Sequence, residues 1–176
     1  PATHPTKGAF FSRGTTRNAY AKYSETGTDY VYNMERLRRK FVTAGKLVPA
    51  PVVQKAALPT RFGAIYYGST SPAMAEAFAL LKDQHIHVDT MRVRGFPFAD
   101  EVVEFINDHD QVFVVEQNEA GQLRMLIINE CEIDPKRLVK VLHYDGTPIT
   151  AGFIAGKIAE AVKQDNVTPL RKQVAS

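Results

Sequence analysis

The stretch with most chemical potential is "GSTSP" at residues 68–72, where an apolar run ends and a small-residue helix begins. Gly68, Ser69, Thr70 and Ser71 would offer backbone N–H groups and hydroxyls to an anion at a helix N-terminus. No lysine follows as in a P-loop, and no G-x-G-x-x-G is present, so the favoured reading is a turn with Ser71 as N-cap. "VVEQN" places Glu116, Gln117 and Asn118 at the end of a second apolar run. A carboxylate there could act as a base or ribose ligand, but no acid or histidine is set beside it by spacing. A polar network at a domain interface is the preferred reading for Glu116 and Asn118. His85 and His87 would share a face of a strand, yet His85 falls in a loop and no third ligand is evident, so no metal site is expected. His109 suits a helix end. His143, beside Tyr144 and Asp145, is the histidine best placed for a functional contact, and His143 and Asp145 join the candidate interface. Cys131 has no legible His/Asn partners for nucleophilic chemistry. No residue is assigned a catalytic, cofactor-binding or metal-ligating role.

The elements that must position these residues follow from periodicity. "YVYNMERLRRKFVTAG" spaces Val31, Met34, Leu37, Phe41 and Val42 as a helix, with Arg36, Arg38, Arg39 and Lys40 on the remaining faces. That basic cluster reads as a solvated face. "KLVPAPVVQKAALP" carries Pro49, Pro51 and Pro59 and reads as an extended linker. Beyond it, strands are expected at 63–67, 86–93, 111–117 and 138–143. Helices follow at 72–84, after Asp100, at 120–132, and after Thr150, with Asp100 and Thr150 as caps. Four βα units with short connections imply an α/β fold: a mostly parallel sheet of four to five strands with helices on both faces, plus an N-terminal arm with one helix. The expected organisation is an arm and linker over 1–60, the α/β domain over 61–163, and a frayed tail over 164–176. In such sheets ligands bind at the carboxyl ends of the strands.

Composition sets limits. The chain of 176 residues carries a net charge of +3, too little to argue for nucleic-acid binding. No apolar run approaches the ~20 residues of a membrane span, and the N-terminus lacks a signal-peptide core. One cysteine excludes an internal disulfide framework and a multi-cysteine cluster within this sequence. The expectation is a cytoplasmic protein in a reducing compartment, with neither membrane nor nucleic acid as partner.

The motifs "YYGSTSPAMAEA", "HVDTMRVRGFPF", "VFVVEQNEAGQL" and "HYDGTPIT", in that order, closely resemble the C-terminal domain of the α subunit of 2-oxoacid:ferredoxin oxidoreductases, especially the 2-oxoglutarate type. The arm "GAFFSRGTTRNAYAKYSETGTDYVYNMERLRRKF" resembles the family's segment leading into that domain. The resemblance implies a transketolase C-terminal-like fold. It implies membership of a complex that oxidatively decarboxylates a 2-oxoacid with thiamine diphosphate and Mg2+, forms an acyl-CoA from CoA, and passes electrons through an iron–sulfur cluster to ferredoxin. The implied partners are the rest of the α chain and a β subunit, in a homo- or hetero-oligomer. The cofactor motifs belong to the β partner and to a preceding α domain with a "YPITP"-like motif, which this sequence lacks. With Pro1 in place of an initiator methionine, the expectation is a C-terminal piece of a longer subunit, inactive alone, with a structural and assembly role. Buried faces of such a domain should leave apolar patches when it is isolated, with Phe96 and Phe98 of "RGFPF" as a candidate dimer contact. The alternatives are the same domain of another thiamine enzyme, or a stand-alone module binding an anionic small molecule at the strand-end loops.

Overall fold

The computed structural model describes residues 14–174, with side chains to residue 165. The chain divides into two units, Pro1–Lys46 and Leu47–Ser176. In the first, Arg17 and Tyr23 form an antiparallel bridge. Asn18 holds the turn between them, its side-chain oxygen accepting from Tyr20 N and Lys22 N at 3.0 and 3.1 Å. Helix α1 runs Gly27–Gly45 and buries none of its residues. Its apolar positions Val31, Met34, Phe41 and Val42 are exposed, which fits an amphipathic helix whose apolar side faces outward.

In the second unit the order is β1 (Val52–Gln54), β2 (Phe62–Tyr66), α2 (Ser71–Asp83), β3 (Asp89–Arg92), α3 (Asp100–Asn107), β4 (Gln111–Glu116), α4 (Gln122–Cys131), β5 (Leu138–Leu142) and α5 (Ala151–Val174). The sheet order is β1-β3-β2-β4-β5. β2 pairs in parallel with both β3 and β4, and β4 with β5. β1 pairs antiparallel with β3, Val53 opposite Met91. The expected α/β architecture is therefore present, with five strands.

Strands buried on both faces need runs of apolar residues, and β2 and the Val112–Val115 stretch of β4 supply them. Alternate residues feed two cores. Phe62, Ala64, Tyr66, Phe113 and Val115 pack with Ala77, Leu81, Ile154 and Ile158 of α2 and α5. Ile65, Val112 and Val114 pack with Val102, Phe105, Ile106 and Ile127 of α3 and α4. Gly63 is required on this second face, because a Cβ there would lie 2.8 Å from Phe105 Cε1.

Three expectations are corrected. The proline-rich stretch is not only a linker: it supplies β1 as an edge strand, where missing N–H groups of nearby prolines are tolerated. Residues read as a frayed tail continue α5 to Val174. Ser71 and Asp100 do not cap. Each is the first residue of its helix, and neither helix has a side-chain cap. Thr150 does cap, with Phe153 N–H donating to its hydroxyl at 3.2 Å.

Candidate functional site

Strand order reverses between β2 and β4, since β3 lies on one side of β2 and β4 on the other. The crevice outside the carboxyl ends of these two strands is the usual ligand position in such a sheet. Here it is bridged by protein. After β2 the backbone turns at Gly68 (φ +56°), a left-handed conformation that glycine adopts without strain. A 3-10 turn over Gly68–Thr70 then feeds straight into α2. From the end of β4, Gln117 Nε2 donates to Ser69 Oγ at 3.0 Å and to Thr70 Oγ1 at 3.3 Å. Its Oε1 accepts from Ile149 N at 3.1 Å. One amide thus ties the loops after β2 and β5 to β4. Gly68 and Ser69 are exposed, Thr70 is buried and Ser71 half-buried. Ser71 Oγ is buried without a partner. Gly68–Thr70 form the turn and Ser71 opens the helix, and the tie from Gln117 to that turn is one that sequence spacing did not reveal.

Glu116 is fully buried. Its carboxylate accepts from Leu123 N at 2.7 Å, Arg124 N at 3.0 Å and Asn118 Nδ2 at 2.9 Å. It caps α4, where an anion complements the positive end of the helix. The expectation that Glu116 serves at an interface is therefore corrected: it presents no surface. Asn118 Oδ1 accepts from Gly121 N at 2.7 Å and Gln122 N at 3.1 Å, so its amide also shapes this loop. Gly121 takes φ +71° and lies 3.8 Å, measured from an ideal Cβ, from Glu116 Oε1.

His143 is nearly buried, its ring edge-to-face with Phe153 at 4.9 Å. Nε2 lies 3.5 Å from Asp145 Oδ2, while Nδ1 is buried without a partner. Asp145 itself is exposed, and its Oδ1 accepts from Thr147 Oγ1 and N at 2.7 and 2.8 Å. These two bonds, hydroxyl first, with His143 nearby, hold its carboxyl below the usual value.

Phe96 is 43% exposed and Phe98 half-buried, and the rings meet edge-to-face at 5.4 Å. They border a cavity of about 620 Å³ that also includes Arg92, Arg94, Gly68 and Leu126. Sequence reasoning did not single out the two arginines. The signal was present as "RVR", two like charges at alternate positions where β3 ends.

A second polar cluster lies at the amino end of β3. Asp89 Oδ1 accepts from Ala56 N at 2.8 Å, and Oδ2 lies 2.9 Å from Lys55 Nζ and 3.2 Å from His109 Nε2. Burial pushes this carboxyl up, but the Ala56 N–H, Lys55 and His109 together bring it below the usual value. His109 is buried, and its Nδ1 donates to Phe105 O at 2.6 Å. Phe105 O and the Asp89 carboxylate thus hold the ring from both of its nitrogens.

Among the described residues, no three His, Cys, Asp or Glu side chains could hold a metal ion together. Burial and then Glu130 push the Cys131 thiol up, away from a nucleophilic thiolate. No described helix is long and apolar enough to cross a membrane.

Over 96 residues the chain is 30% identical to the α subunit of 2-oxoacid:ferredoxin oxidoreductase 2 from Aeropyrum pernix, covering 53% of this chain and 15% of that protein. This chain is similar to part of a 2-oxoacid:ferredoxin oxidoreductase α subunit. No protein-family model matches the chain. Among solved structures, the 2-oxoglutarate:ferredoxin oxidoreductase from Magnetococcus marinus with 2-oxoglutarate, coenzyme A and succinyl-CoA bound superposes with a TM-score of 0.75 at 20% identity, covering 89% of this chain and 27% of that one. A split-gene transketolase in an inactive β4 tetramer gives a TM-score of 0.53 at 19% identity over 64% of this chain and 41% of the other. These two likenesses establish the fold as transketolase-like. The chain spans 15% of the curated relative's length and 27% of the oxidoreductase structure.

Proposed function

We propose that this chain acts as the C-terminal portion of the α subunit of a thiamine-diphosphate-dependent 2-oxoacid:ferredoxin oxidoreductase of the 2-oxoglutarate type. Its role is structural: it supports assembly with the rest of the α chain and a β subunit, which carry thiamine diphosphate, Mg2+, the iron–sulfur cluster and the CoA site, with ferredoxin as acceptor. The observation that carries this reading is the 30% identity to an α subunit over 96 residues. The geometry agrees with a supporting role. Glu116, Gln117 and Asn118 occupy the strand-end position where an α/β enzyme would place catalytic groups, yet each is bonded to a helix start or a neighbouring loop. Such bonds give a rigid edge on which another domain can rest. Phe96 and Phe98, with His143 and Asp145, are the side chains we assign to that contact.

The test is native mass spectrometry of the tagged native gene product purified from its own cells. The expected result is a complex holding this sequence within an α chain, a β subunit, thiamine diphosphate and an iron–sulfur cluster. That complex should reduce ferredoxin faster with 2-oxoglutarate than with pyruvate. Recovery of this polypeptide alone and free of cofactor would overturn the reading. Equal rates with both substrates would remove only the 2-oxoglutarate assignment.

A further inference from the structure

We propose that residues 48–57, the segment carrying β1, form a strap that peels off the edge of β3 in one piece while β2–β5 stay folded, with Thr60 as the fixed point behind it. This does not depend on the oxidoreductase reading, because it concerns one sheet edge of this chain alone.

The strap lies antiparallel along the whole of β3. At the carboxyl end Val48 stands against Gly95, where an added Cβ would come within 2.9 Å of Val48 Cβ. In the middle Val52, Val53 and Gln54 pair with Arg92, Met91 and Thr90. At the amino end Ala56 N donates to Asp89 Oδ1 at 2.8 Å, and Lys55 Nζ lies 2.9 Å from Asp89 Oδ2. Behind the strap, Thr60 Oγ1 donates to His87 O at 2.6 Å and accepts from Phe62 N at 3.1 Å, which ties the chain to the sheet where β2 begins.

What the strap lacks is a share in the cores. No residue of 48–57 belongs to either one. All three residues of β1 are exposed, Val52 and Val53 at 42% and 41%. The opposite edge differs, since β5 sends Val141 into one core and Leu138 into the other. Both edges are held by ladder hydrogen bonds, but only β5 must expose buried apolar surface to leave. A segment with few buried apolar contacts and exposed hydrogen bonds opens at low free energy, ahead of the global transition. Opening lengthens the free tether between α1 and β2. It also bares the N–H and C=O row of β3 to another extended segment.

The ladder separates this opening from unfolding of β3. Val93 N donates to Tyr66 O, so Val93 N–H faces β2. Successive N–H groups of a strand point to opposite edges, so Met91 also faces β2, while Thr90 and Arg92 face β1. Thr90 with Gln54, and Arg92 with Val52, are therefore the pairs that exchange hydrogen bonds, and Val53 N–H points away from the sheet.

The test is native-state hydrogen exchange of the 176-residue chain, read from amide resonances. Protection factors at Thr90 and Arg92 should be at least about tenfold lower than at Met91 and Val93, and insensitive to low urea. Gln54→Pro removes a ladder N–H and should lower Thr90 and Arg92 by about another tenfold, with Met91 and Val93 unchanged. Val53→Pro removes an N–H outside the ladder and should shift them by less than about threefold. Equal protection at all four amides would overturn the proposal, because β3 would then open only as a whole. So would a Gln54→Pro variant that lowers all four alike, or a Val53→Pro variant that matches it.

Discussion

Asp89 joins three parts of the fold through one carboxylate: the segment after β1, strand β3, and His109 beyond α3. Its lowered pKa has a definite consequence for stability. A group whose folded pKa is depressed stabilises the fold above its unfolded value and loses that contribution as pH falls through the folded one. The loss should therefore begin below the ordinary value of 3.8. Asp89→Asn should cost about 1–2 kcal/mol at neutral pH and flatten the acid limb of a urea-unfolding series, since Lys55 is largely exposed and a screened partner is worth less than a buried one. A limb as steep in the variant as in the wild type would place the acid sensitivity elsewhere. Glu116 makes a parallel case. Removing its carboxylate strands two backbone N–H groups at the start of α4, so Glu116→Ala should lower unfolding free energy by about 3 kcal/mol, against about 1 kcal/mol for Glu116→Gln. Chemical denaturation of both variants checks the order. The sequence put Glu116 at the end of a strand correctly, but its partners lie seven and eight residues on, beyond what spacing on a strand can reveal. Likewise, the bond between His109 and Asp89 spans 20 residues and two elements, so the histidine read only as a helix-end residue.

The elements were largely legible because each core strand is a dense apolar run and each helix keeps its period. Val112–Val115 announced a doubly covered strand, and all four are fully buried. β1 was hidden because three residues between prolines carry no periodicity, and its strand character comes from pairing with β3. Helix starts divided by local chemistry. Thr150 follows a loop and caps, whereas Ser71 follows a 3-10 turn, is already in helical conformation and so lies inside the helix instead of before it. Packing between elements gives a sharper prediction. Gly63→Ala would push a methyl onto the Phe105 ring and His109 Cγ, 2.8 and 3.2 Å away. It should cost about 1–3 kcal/mol by overpacking, read as a lower urea midpoint with an unchanged slope. If the variant is as stable as the wild type, the Phe105 ring yields more readily than close packing allows.

At the scale of the whole molecule, exposed apolar side chains distinguish the two units. In the first, Val31, Met34, Phe41 and Val42 keep 55%, 44%, 54% and 63% of their surface open along one helix. Isolated chains are expected to associate through this face, because a contiguous apolar stripe on an amphipathic helix is stabilised by burial against a like partner. Sedimentation velocity should show the mean mass rising with concentration, and Phe41→Glu with Val42→Glu should return it to that of a monomer. Strict monomers at every concentration would oppose this. The sequence showed the stripe as a helix but not its exposure, since periodicity reports which side is apolar and not what covers it.

The two-faced character of β2 bears on how the chain avoids mistakes. A strand with one wet side is kept in register by the difference between oil and water, and a one-residue slip exposes it at once. β2 has no wet side: Phe62, Ala64 and Tyr66 enter one core, and Gly63 and Ile65 the other. A slip would leave every residue in an apolar setting. What forbids it is size. Glycine sits opposite a phenylalanine ring and alanine between two helices, so a shifted strand would drive Phe62 or Ile65 into room made for no side chain at all. Fidelity here is written in volumes, and the smallest residue on the strand is its proofreader.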